Sequence, residues 1–152
     1  MAFLYDTLLQ EFGKREIART DVPNYIVDNL KYGIRPYQKE SFQRYILCHN
    51  EDFDGKPNKP FHLLYNMATG SGKTLVMAGL MLYLYEKGFR NFLFFVNSNN
   101  IINKTKDNFL NPQASKYLFS KKIVVEGKEV LIKEVANFEE SDEQNININF
   151  TT

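Results

Sequence analysis

Apolar positions along the chain recur at two periods, and these periods divide it into helices and strands. Phe3, Leu4, Leu8, Leu9 and Phe12 fall near one face of a helix that Gly13 ends or weakens. Asp21-Val22-Pro23 offers an N-cap carboxylate and a proline for the first turn of a short helix towards Leu30, broken by Gly33. Pro36 opens a further helix to about Leu47, with Phe42, Tyr45 and Ile46 on its apolar face. Residues 50–60 are polar and turn-rich and predict an exposed loop, and Phe61 to Tyr65 reads as a short strand. From Lys73 to Lys87 the chain is apolar nearly all round, which predicts a helix buried on several sides and ended by Gly88. Phe92-Leu93-Phe94-Phe95-Val96 is a continuous apolar run, the pattern of a parallel strand covered on both faces. A helix from Ile101 to Phe109 stops at Asn111-Pro112. Lys122–Val125 and Lys128–Ile132 flank Glu126-Gly127 as a peripheral hairpin. Phe138 to Gln144 is acidic and exposed in character, and Ile146 to Phe150 alternates strictly, which predicts a strand with one covered face.

The order strand, loop, helix, strand from Phe61 to Val96 predicts a right-handed βαβ unit in an α/β fold. Its loop, Met67-Ala68-Thr69-Gly70-Ser71-Gly72-Lys73-Thr74, has the context of a phosphate-binding P-loop. A helix N-terminus leaves amides unpaired and carries partial positive charge, so it receives phosphate. Gly70 and Gly72 let the backbone approach, Lys73 reaches the β- and γ-phosphates, and the Thr74 hydroxyl holds Mg²⁺. Upstream, Gln38 carries an amide able to pair with adenine N6 and N7, although by itself it reads equally as a surface glutamine on an amphipathic helix. Arg35 and Tyr32 are alternative partners for stacking on the base.

Composition narrows the class. The 152 residues suffice for one domain, and 43% hydrophobic with 14% aromatic content predicts a folded chain. A net charge of +1 gives no bulk attraction to nucleic acid, so any basic patch is local. The single cysteine, Cys48, excludes an internal disulfide and suits a cytoplasmic protein. His49 and His62 are isolated and suggest no metal cluster. Residues 1–12 include Asp6 and Glu11 and lack the form of a secretory leader, and Leu75 to Tyr85 is too short to span a bilayer.

Ala-Thr-Gly-Ser-Gly-Lys-Thr resembles motif I of superfamily 2 helicases and translocases (the DEAD/DEAH-like group). The strict pattern has glycine where this chain has Met67, and in that superfamily the position is often not glycine. Arg-Pro-Tyr-Gln resembles the adenine-recognition Q motif, and Asn97-Ser98-Asn99 sits where motif Ia touches the nucleic-acid backbone, although such residues are also ordinary helix caps. With the Phe-Val-Asn-Ser strand end and the terminal Asn-Phe-Thr-Thr, these strings resemble the restriction (Res) subunit of type III restriction enzymes over roughly residues 33–152. The resemblance implies an incomplete RecA-like parallel sheet flanked by helices, with residues 1–32 as an N-terminal helical extension. It further implies ATP and Mg²⁺ as cofactors, double-stranded DNA as substrate, a modification (methyltransferase) subunit as partner, and no membrane.

Asp142-Glu143-Gln144 imitates an acidic motif in letters, but Asn137 to Ser141 is no apolar strand. No catalytic set is therefore complete, and the expected identity is the ATP-binding N-terminal part of a DNA translocase, cut inside its first motor domain. Two alternatives remain open: a helicase-like remodeller without nuclease activity, and a non-catalytic nucleotide- or DNA-binding module.

Overall fold

A computed structural model describes residues 2–152. They form two compact units: the first runs through Val22 and resumes from Ile34 to Val76, and the second combines Pro23–Gly33 with Met77–Thr152.

The first unit is built on α1 (Leu4–Arg19) and α3 (Pro36–Asn50). Gly13 interrupts α1 with φ 72° and ψ 164°, the break that its position in the pattern predicts. Leu8, Ile17 and Leu47 form the buried contact, with Leu4, Leu9, Phe12 and Phe53 packed around it. Gln43, buried on α3, donates to the carbonyls of Ala18 (3.1 Å) and Thr20 (3.0 Å) and so satisfies the open end of α1. Arg44 lies over the Tyr5 ring and donates to the Tyr5 carbonyl, a second tie between the two helices.

Phe61–Tyr65 is not a strand, contrary to the pattern's prediction. Its exposures alternate as in extended chain, with Leu64 92% exposed, but no strand in its unit offers a hydrogen-bonded ladder. An apolar run becomes a strand only where a neighbour receives its backbone groups. The βαβ unit expected around the loop is therefore not formed.

The second unit holds α2 (Asn24–Val27), most of α4 (Lys73–Glu86), β1 (Asn91–Phe95), α5 (Asn99–Leu110), β2 (Ile123–Val125), β3 (Lys128–Val130), β4 (Ile132–Glu134), a 3₁₀ turn at Phe138–Glu140 and β5 (Ile146–Thr151). Its main sheet is parallel, in the order β1-β5-β4, with Phe92 opposite Ile148 and Ile132 opposite Ile146. β2 and β3 make the predicted hairpin around Glu126-Gly127. Ile132, read as the end of that peripheral hairpin, instead opens β4, which joins the main sheet. The short α2 segment is tied to the hairpin through buried Asn29, which donates to Val124 O (2.7 Å) and accepts from Val124 N (2.8 Å).

The covering of β1 and β5 reverses what their patterns predict. β1, read as covered on both faces, exposes Leu93 (59%) and Phe95 (68%) on one of them. β5, read as covered on one face, buries Ile146, Asn147 and Ile148 in succession. Asn147 is tolerated there because its amide is satisfied by the turn before the strand and by Arg90 and Asn91. Asp142 holds that turn. Its carboxylate accepts from Lys133 (2.5 Å) and from the Asn145 and Gln144 amides (2.8 and 3.0 Å), and these contacts, Lys133 foremost, hold its pKa down to about 2. The aspartate that imitates an acidic catalytic motif is thus committed to a turn.

On α4, Leu82 and Tyr83 are buried while Met77 is exposed and Leu80 and Leu84 are half-covered. Met77, Leu80, Met81 and Leu84 line an open apolar groove with Phe92 and Leu93. The isolated chain is therefore expected to self-associate, and Leu93→Glu, in the wall of that groove, to reduce the association. Light scattering behind size-exclusion chromatography measures it; a strictly monomeric chain at high concentration would contradict the expectation.

Candidate nucleotide site

The site lies within the first unit, where α3 meets the loop 67–74. Gly70 (φ 78°) and Gly72 (φ 83°) adopt the left-handed backbone that turns the loop. At Gly72 the requirement is doubled, because a Cβ would stand 2.4 Å from Gln38 Nε2. The Gly72 carbonyl accepts from the Leu75 and Val76 amides (3.0 and 3.2 Å) and starts α4. The amides of Gly72, Lys73 and Thr74 have no partner among the described residues, nor has the Thr74 hydroxyl. Ser71 Oγ is buried and likewise lacks a partner among them. Unpaired amides, an orphaned hydroxyl and glycine-turned backbone fit an anion such as a phosphate.

Lys73 Nζ is exposed and donates to the carbonyls of Met67 (2.8 Å) and Ala68 (3.0 Å), so it spans the loop. No carboxylate pairs with it among the described residues. Thr69 and Gly70 are exposed at the tip of the turn.

Gln38 comes from 33 residues upstream and is only 4% exposed. Its Oε1 accepts from the Arg35 amide (2.9 Å), the reach-back of a helix-start side chain, and its Nε2 donates to Ser71 O (2.9 Å). One N–H and one lone pair of the amide remain available. Arg35 is exposed, and its Nη1 donates to the Tyr37 hydroxyl (2.9 Å), which itself donates to Ser71 O (2.9 Å). The pattern singled out Gln38 and Arg35 but gave Tyr37 no role. Its place inside Arg-Pro-Tyr-Gln is the signal that a closer reading would have used.

Asn97, Ser98 and Asn99 lie in the second unit, where β1 gives way to α5. Ser98 is the N-cap residue by backbone, accepting from Ile101 and Ile102 (both 3.1 Å), but its side chain makes no capping bond. Asn97 and Asn99 are exposed. Tyr32 also belongs to this unit and donates to Ser115 O (3.0 Å). On α5, Lys106 pairs with Glu134 and Lys104 is exposed. No cluster of metal-binding His, Cys, Asp or Glu occurs among the described residues, and no helix there is long and apolar enough to cross a membrane.

A parallel sheet flanked by helices, with a glycine-turned loop opening onto α4, defines an incomplete RecA-like P-loop domain of the α/β class. Residues 31–152 match the family described as "Type III restriction enzyme, res subunit", and the chain belongs to that family. It is 42% identical over 144 residues to the probable type III restriction-modification enzyme HindVIP Res subunit of Haemophilus influenzae. That match covers 90% of this chain and 28% of the relative, so the chain spans about 28% of that relative's length. No solved structure matches the chain.

Proposed function

We propose that the chain binds ATP with Mg²⁺ at the 67–74 loop and is the N-terminal, helicase-like part of a cytoplasmic, ATP-dependent DNA translocase of the type III restriction class. The observation that carries this reading is the loop itself: free amides and a free Ser71 Oγ at the start of α4, with Gln38 held against it. Thr69, Gly70, Ser71 and Gly72 line the cradle, Lys73 offers an exposed positive charge with no carboxylate partner among the described residues, and the Thr74 hydroxyl is free to hold the metal. When bound, ATP supplies a transferable γ-phosphoryl group. The spare donor and acceptor of Gln38, with Arg35 beside it, address the base. No acidic pair ends an apolar strand among the described residues, so binding without efficient hydrolysis is expected. Asn97, Ser98 and Asn99, with an uncapped serine at a helix start, suit contact with the backbone of double-stranded DNA. A modification subunit would supply recognition of the target sequence.

Gln38→Ala tests the adenine assignment. A bidentate amide–base pair contributes about 1–3 kcal/mol of discrimination, so an ATP-over-GTP preference of roughly tenfold or more should fall towards one. Competition of the two nucleotides against a fluorescent ATP analogue reads this directly. An unchanged preference removes the adenine role from Gln38.

A further inference from the structure

We propose that Tyr37 is a positioning residue for the phosphate-binding loop, acting through the Ser71–Gly72 peptide; the proposal rests on the nucleotide reading above. The Ser71 carbonyl accepts two hydrogen bonds from the first turn of α3, from the Tyr37 hydroxyl (2.9 Å) and from Gln38 Nε2 (2.9 Å). The Tyr37 oxygen in turn accepts from Arg35 Nη1 (2.9 Å), and a cationic donor on one side of a hydroxyl strengthens its own donation on the other. The Ser71–Gly72 peptide is trans, since the one cis bond among the described residues is Lys59–Pro60. In a trans peptide the N–H points opposite to the carbonyl. Holding Ser71 O on α3 therefore aims the Gly72 N–H away from α3, where it has no partner among the described residues. That amide is one of those a phosphate oxygen would take. Gln38 alone would hold the Ser71 oxygen from one direction, whereas two donors from adjacent residues converge on that oxygen and fix its direction more tightly.

The competing role, a surface anchor for α3, is weak on the same geometry. Tyr37 is 41% exposed, and among the described residues its hydroxyl hydrogen-bonds only to the arginine and the loop carbonyl. The hydroxyl thus acts on the loop and contributes little to the core.

Tyr37→Phe in the full chain isolates the hydroxyl. Loss of one hydrogen bond to the carbonyl should weaken ATP and ADP by the same factor, about three- to tenfold, and leave the ATP-to-GTP ratio unchanged. Without any ligand, the Gly72 amide resonance in a ¹H–¹⁵N spectrum should move or broaden, because it reports the peptide that the hydroxyl holds. Wild-type affinity together with an unmoved Gly72 resonance overturns the positioning role. A changed ATP-to-GTP ratio also overturns it, by making Tyr37 a base contact. If the wild-type chain itself binds no ATP, the nucleotide reading fails and this proposal with it. ATP bound equally by wild type and variant, with the Gly72 resonance unmoved, defeats this proposal and leaves the nucleotide reading standing. Unfolding of Tyr37→Phe, seen as loss of its helical circular dichroism, would likewise overturn it in favour of a structural anchor.

Discussion

Lys73→Ala is expected to abolish measurable ATP binding while leaving the fold intact. The Lys73 ammonium is exposed, pairs with no carboxylate among the described residues and spends its donors on the Met67 and Ala68 carbonyls. Those carbonyls are in reach of water once the lysine is gone, so the change in stability is small. For a triphosphate the balance differs. Removing the cationic partner of a charge-assisted contact costs about 2–5 kcal/mol, or roughly thirtyfold to several-thousandfold in affinity. Lys73→Arg is not expected to restore binding, because a planar fork does not replace a compact point charge in a glycine-turned loop. Calorimetric titration with Mg-ATP measures the loss, and equal binding by wild type and Lys73→Ala would remove the phosphate-binding assignment.

The largest effect on stability is expected at Asn147, far in sequence from the loop. Asn147 is fully buried at the start of β5. Its Nδ2 donates to Asp142 O (2.8 Å), with longer contacts to Arg90 O, Asn91 Oδ1 and Asn145 O (3.3 Å each), and its Oδ1 accepts from the Asp142 amide (3.2 Å). Asn147→Ala leaves the Asp142 carbonyl and amide without their partner and opens a small void. At about 1–3 kcal/mol for each unsatisfied buried group, the loss is about 2–5 kcal/mol. For a chain of this size that lowers Tm by roughly 5–15 °C. Thermal unfolding followed by circular dichroism reads the shift. A melt superimposable on wild type would mean that water replaces the amide and that the turn does not depend on it.

Asn147 also shows where local pattern and tertiary structure part. Ile146-Asn147-Ile148-Asn149 alternates, and alternation ordinarily means one wet face. The sheet places β5 between β1 and β4, and the turn at Asp142 folds over the face on which Asn147 stands. Phe92 to Phe95 makes the converse case: a continuous apolar run at the sheet's edge, with Leu93 and Phe95 open. Neighbours decide which face of a strand is covered, and a period in the sequence does not name neighbours. Phe61–Tyr65 fails for the same reason, since it has strand chemistry and no strand in its own unit among the described residues. β4 was missed because three residues after a hairpin carry too little periodicity to announce a pairing with β5.

The candidate site was more legible than the sheet. Glycines at 70 and 72, a lysine and threonine opening a helix, and a glutamine at the start of an earlier helix are chemical requirements written in residue types. They depend on local backbone geometry, which short-range sequence controls. Helix starts at Pro36 and Lys73, the break at Gly13 and the Glu126-Gly127 turn are local in the same sense. With the strings around them, they carried the resemblance to superfamily 2 motors from which the class was read.

What the sequence could not determine is how the amide of Gln38 is used. Its bonds to the Arg35 amide and the Ser71 carbonyl, the Tyr37 hydroxyl on the same carbonyl, and the 2.4 Å that a Cβ at Gly72 would leave to Gln38 Nε2 all join residues more than thirty positions apart, except the first. Such contacts arise only when α3 is folded against the loop, because a hydrogen bond needs its partners within about 3 Å, in a direction no residue type specifies. Residue types and their spacing thus pointed to the candidate loop and the helix it opens, and the resemblance of their strings pointed to the family. The tertiary structure decided which strands form, which faces are covered and what holds the loop in place.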